Sequence, residues 1–85
     1  MTQHQITIAK SILDAFHALD GGQAHDLTIH ADASLRYRAL IPRNEFDDVF
    51  AELNLLGCFT GVATRFKGTL WSLSPTGEQL RQEMK

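Results

Sequence analysis

The sequence predicts a small α+β domain made of a three-helix core, a β-hairpin and a short C-terminal helix. Three observations predict it. Residues 3–20 and 43–56 each repeat apolar side chains at three- and four-residue spacing, the mark of a helix with one buried face. A β-prone ribbon with a glycine-bearing turn comes after Gly57. Ser74-Pro75 then opens a last helix. A chain of 85 residues is enough for one such domain, spanning 1–85 around one core.

The first helix is expected over residues 3–20. Ile8, Ile12, Phe16 and Leu19 form its stripe and Ala9 and Leu13 widen it. Thr2 and Gln5 have the spacing of a capping box, and Gly21-Gly22 is the expected stop. Residues 24–41 admit two readings. Leu27, Ile29, Ala31, Ala33, Leu35, Tyr37, Ala39 and Ile41 alternate with mostly polar residues, which is a strand period. Ala31, Leu35 and Ala39 also lie four apart, as on a helix that Asp32 or Ser34 could cap. Over residues 43–56, Phe46, Val49, Phe50, Leu53 and Leu56 make an apolar face. Pro42, Asn44 and Asp47 signal the start of this helix and Gly57 its end. Residues 58–73 read as a hairpin that turns at Arg65-Phe66-Lys67-Gly68, with Gly68 at the positive-φ position. The last helix, capped by Ser74 with Pro75 in its first turn, is expected to reach about Met84.

Composition excludes several classes. A hydrophobic content of 44% with 21% charged residues is that of a globular chain and not of a disordered one. No apolar run approaches the roughly 18 residues that span a bilayer, and the opening Met1-Thr2-Gln3-His4-Gln5 is no secretory signal, so the expected compartment is the cytoplasm. The single cysteine, Cys58, has no disulfide partner within the chain and reads as a small buried hydrophobe. Among His4, His17, His25 and His30 no pair has the i,i+4 spacing of a helical metal site, and only His25 and His30 fall near each other, so no metal is expected. No phosphate loop, nucleophile elbow or Cys/His set is present, and Asp47 and Asp48, adjacent on a helix, diverge by about 100°. Neither an enzyme nor a cofactor is expected. The formal net charge of −2 argues against strong nonspecific nucleic-acid binding, which rests on Lys and Arg neutralising phosphates.

From Leu53 to Leu80 the chain has the pattern L-x-x-x-G … W-x-L-S-P-x-G-x-x-L, in Leu53, Gly57, Trp71, Leu73, Pro75, Gly77 and Leu80. In these residues, and in element order over 3–84, it resembles the MarR-like winged helix-turn-helix regulators. The resemblance implies a winged-helix fold, with Asp26–Ile29 as a short strand and Asp32–Leu40 as the second helix. The rival reading of that segment, a β-hairpin turning near Ala31–Ser34, would make a different α+β domain. The resemblance also implies a DNA-binding role in transcription regulation, exercised as a dimer on duplex DNA. The matched positions are structural in that family, so they speak for the fold before the target.

The same resemblance frames the expected site. Residues 43–56 correspond to the helix that enters the major groove. Its outer face here carries Glu45, Asp47, Asp48 and Glu52, with Arg43 its one cation, which would repel a phosphate backbone. The ordinary reading is a solvated face, with acids near a helix N-terminus favoured by the dipole. The functional alternative is a protein-interaction surface of Glu45, Asp48, Glu52 and Phe66, meeting a basic partner or a second copy. Arg36, Arg38 and Arg43 are the densest positive charge and the expected phosphate contacts of the second helix and the adjoining turn. In a strand Arg36 and Arg38 share a face; in a helix they stand about 200° apart. Arg65 and Lys67 at the hairpin tip match the wing cations of the family. Phe66 between them is expected to fold back onto Trp71, an anchor for a partner being the other reading.

Overall fold

Local signals set the ends of most elements. In the computed structural model, which describes residues 1–19 and 22–84, helix α1 spans Gln3–His17. The Thr2 hydroxyl accepts from the Gln5 backbone N–H (3.2 Å) and the Gln5 side chain accepts from the Thr2 N–H (2.9 Å), a complete capping box. The helix ends earlier than residue 20, at Ala18, which is still right-handed and bonds back to Asp14 and Phe16. Of the expected glycine stop, Gly21-Gly22, Gly21 lies outside the described residues.

Residues 24–41 contradict both strand readings. Helix α2 runs Asp26–Tyr37, so Asp26–Ile29 is its first turn and not a strand, and Ala31–Ser34 lies mid-helix and not in a turn. Asp32 and Ser34 therefore cap nothing; His25 holds the cap position without a side-chain bond. The strand shrinks to one residue. Ala24 bridges Trp71 in antiparallel sense, with N–O distances of 3.0 and 2.8 Å. Arg38 ends α2 at φ 66° in the left-handed region, uncommon for a side chain with a Cβ. Ile41 anchors the link from α2 to the next helix. Its side chain is fully buried, the Ser34 hydroxyl accepts from its N–H (3.2 Å), and His30 Nε2 donates to its carbonyl (2.7 Å).

Helix α3 spans Arg43–Leu55. Pro42 occupies the cap position, so the helix begins one residue before Asn44. Gly57 reverses the chain at φ 82°, and Leu56, expected on the buried face, lies past the last turn and is exposed. Strands β1 (Phe59–Thr64) and β2 (Gly68–Leu73) pair from Phe59↔Leu73 to Thr64↔Gly68. The turn sits at the expected residues, with Gly68 at φ 70°. Helix α4 covers Pro75–Glu83, with Met84 as its C-terminal cap. Ser74 ties the ends together. Its hydroxyl accepts from the Gly77 N–H (3.1 Å) and donates to the Gly57 carbonyl (2.5 Å), so the cap of α4 also closes α3.

The core sits where α1 meets α3 and the hairpin. Phe16 and Phe50 both stack on Phe59 (4.7 Å each), Phe46 continues the stack to Phe50 (5.6 Å), and Trp71 meets Phe50 edge-on (5.2 Å). Ile8, Ile12, Leu13, Ile29, Val49 and Leu53 fill the rest, all essentially without solvent contact.

Candidate nucleic-acid interface

The expected phosphate contacts separate into held and free cations. Arg43, at the start of α3, is held: Nη2 lies 2.5 Å from Asp26 Oδ2, Nε lies 3.0 Å from Asp47, and the guanidinium stands 5.2 Å from the Phe46 ring centre. Its Nη1 is buried without a hydrogen-bond partner. Arg36 pairs with Asp32 one turn earlier on α2 (3.3 Å). Arg38, Arg65 and Lys67 make no ion pair among the described residues. Because α2 is a helix, Arg36 and Arg38 do not share a face.

The acidic face of α3 is likewise divided. Glu45 is drawn toward α1, where His4 Nε2 donates to it at 3.1 Å while His4 Nδ1 accepts from the Tyr37 hydroxyl at 3.3 Å. That relay links α2, α1 and α3. Asp47 is neutralised by Arg43. Asp48 and Glu52 remain exposed and, among the described residues, unpaired.

The hairpin tip is built differently. The Thr64 hydroxyl donates to the Gly68 carbonyl (2.6 Å) and accepts from the Lys67 N–H (3.0 Å), which fixes the turn from inside. Phe66 does not fold onto Trp71. It is 91% exposed, with the Arg65 guanidinium 5.9 Å from its ring centre. The place expected for it is taken: Trp71 lies across the sheet over Gly61, its register partner, and against Phe50. A signal missed in the sequence concerns charge sign. Residues 53–77 contain no Asp or Glu, so the chain's negative balance lies elsewhere and the hairpin is a cationic projection carrying Arg65 and Lys67.

Other sites gain no support. His30 is committed to the Ile41 carbonyl and packs edge-on against Phe46 (4.8 Å). Among the described residues no group of three His, Cys, Asp or Glu could hold a metal ion. Cys58 is fully buried, and burial pushes its thiol pKa up. No described helix is long and apolar enough to cross a membrane.

Three helices, a helix-turn-helix over α2 and α3, a hairpin wing and a one-residue third strand define a winged helix. No family model matches the chain, and no curated protein matches it. A solved structure does: that of a transcriptional regulator from Clostridium thermocellum superposes with a TM-score of 0.76 over 98% of this chain and 82% of that one, at 15% identity. At that identity the likeness shows the fold alone.

Proposed function

We propose that this chain is a winged-helix transcriptional regulator that contacts duplex DNA mainly through phosphates. The observation that carries the reading is the wing: an acid-free segment whose tip presents Arg65 and Lys67 with no ion pair among the described residues. Arg38 joins them at the turn after α2. Arg36 and Arg43, tied to neighbouring carboxylates, serve the scaffold first. The use of this fold by the Clostridium thermocellum regulator supports the reading by analogy. Three phosphate contacts per copy give a log–log salt slope of about −3 and weak binding, so a dimer is the working form. The test is the double change Arg65→Ala with Lys67→Ala, compared with wild type on random duplex DNA by fluorescence anisotropy across a salt series. The expected result is weaker binding with a slope shallower by about two. An unchanged slope excludes the wing as the contact.

A second reading rests on Asp48 and Glu52, exposed and unpaired beside exposed Leu55 and Leu56. In this reading α3 is a protein-interaction surface, with Phe66 as its anchor and Glu45 already engaged by His4. If the protein self-associates, the changes Asp48→Lys and Glu52→Lys abolish that association in sedimentation; association that survives them places the contact elsewhere.

A further inference from the structure

Phe66 takes no part in the core, and the Arg65 guanidinium stands 5.9 Å from its ring centre. It is 91% exposed, it contacts neither Trp71 nor the phenylalanine stack, and its turn is held by Thr64 and Gly68 without it. One exposed apolar side chain is ordinary by itself, so the case for a contact rests on where this ring stands. Its setting says what kind. Arg65 precedes it, Lys67 comes after it, and the acid-free stretch from 53 to 77 surrounds it. Such charge complements an anionic occupant, and a flat apolar ring between two cations suits a polyanion with flat apolar groups between its charges. Nucleic acid has that chemistry: phosphates on the outside and bases whose faces accept an aromatic ring.

We infer that Phe66 is a wedge: with Arg65 and Lys67 on phosphates, its ring enters a groove and unstacks a flexible base step, so that the protein selects deformable DNA. The inference rests on the DNA reading above and goes beyond it, because phosphate contact alone gives no preference among duplexes. Apolar side chains inserted between base steps kink the duplex, and pyrimidine–purine steps yield most readily. The hairpin is suited to this. A two-stranded ribbon is narrow enough for a groove, and the Thr64 bonds hold the tip in one shape, so little order is lost when the ring is inserted.

The experiment uses two duplexes of equal length, one a stiff A-tract and one with a central TA step flanked by 2-aminopurine. Both are titrated with wild type and with Phe66→Ala at low and high salt. Because Phe66 is exposed, the substitution leaves the core untouched, which a matching thermal melt verifies. Wild type is expected to prefer the TA duplex about tenfold and to raise 2-aminopurine emission. Phe66→Ala should lose both while keeping the salt slope, since Arg65 and Lys67 remain; Phe66→Trp should restore both. Equal affinity of wild type for the two duplexes with silent 2-aminopurine overturns the wedge and leaves phosphate binding standing. Absence of salt-sensitive binding to either duplex overturns both proposals. Binding to vesicles of anionic lipid that depends on Phe66, with 2-aminopurine silent, assigns the ring to a membrane surface and likewise overturns the wedge.

Discussion

Arg43 Nη2 lies 2.5 Å from Asp26 Oδ2, so the first residue of α3 grips the first residue of α2. The same guanidinium reaches Asp47 and covers Phe46. An arginine in the place where a groove-reading helix would present a cation is here the clasp of the helix-turn-helix. Both partners are partly exposed, so solvent screens the pair, and Arg43→Ala is expected to cost about 1 kcal/mol. Asp26→Ala should cost a similar amount and the double change less than their sum, measured by urea unfolding monitored by circular dichroism. Arg43→Lys should not rescue, because an ammonium cannot bridge two carboxylates in a fixed fork. The salt slope of DNA binding should be unaffected by any of these changes; a slope reduced by Arg43→Ala would place this side chain on phosphate.

Gly77 lets α4 lie directly against the chain at Cys58 and Leu73. A Cβ there would press into the Cys58 carbonyl oxygen and stand 2.6 Å from Leu73 Cδ1. The carbonyl belongs to the backbone and already accepts from the Ser74 N–H (2.9 Å), so it cannot yield cheaply. Gly77→Ala is expected to destabilise by about 1–3 kcal/mol despite its better helix propensity. A urea midpoint at or above that of wild type would mean that α4 moves freely over Cys58.

Glu78 pairs with Arg81 one turn on within α4 and with His17 of α1, and these pairs predict a pH profile. The hydrogen-bonded Arg81 guanidinium, assisted by His17, holds the Glu78 carboxyl at about 2, against an ordinary value of 4.5. The folded state therefore takes up this proton less readily than the unfolded chain. The stability it contributes is present in full above pH 4.5 and is lost as pH falls toward 2. Glu78→Gln should lower the melting temperature at neutral pH, and the gap to wild type should close across that acid window. A gap that stays constant with pH would assign the loss to packing.

Cys58 offers a chemical probe of the same region. Its thiol is fully buried and its pKa is raised by burial, so the reactive thiolate is scarce. Reaction with an aromatic disulfide reagent is expected to track unfolding, slow in buffer and fast above the urea midpoint. Rapid labelling of the folded protein would reveal local opening between β1 and α4.

Most short-range signals were legible in the sequence, the caps of α2 and α3 excepted, and long-range ones were not. The Thr2–Gln5 box, the Gly57 reversal, the Gly68 turn and the Ser74-Pro75 cap each depend on residues within a few positions of one another, and all appear where expected. Helix α2 was hidden by its own pattern. Its inner stripe, Ile29, Ala33 and the half-buried Tyr37, and a second apolar stripe on its outer side, Leu27, Ala31 and Leu35, each recur every four residues; interleaved, they mimic the alternation of a strand. At the candidate interface the charges were legible but not their partners. Asp26 and Arg43 are brought together by the turn around Ile41, and no spacing rule announces that pairing. Phe66 misled for the complementary reason, since Gly61 lacks a side chain and Trp71 covers it from the other strand.

Trp71 is the chain's one tryptophan, and it stands where β2, the Ala24 bridge and Phe50 of α3 converge. Intrinsic fluorescence of this protein therefore reports on a single joint, the seating of the wing on the helices. Circular dichroism reports mainly on α1, α2 and α3. Coincident transitions by the two signals mean that wing and helices form one cooperative unit. An earlier fluorescence transition means that the wing can lift from an intact helical body, giving the tip a reach that its fixed turn alone does not provide.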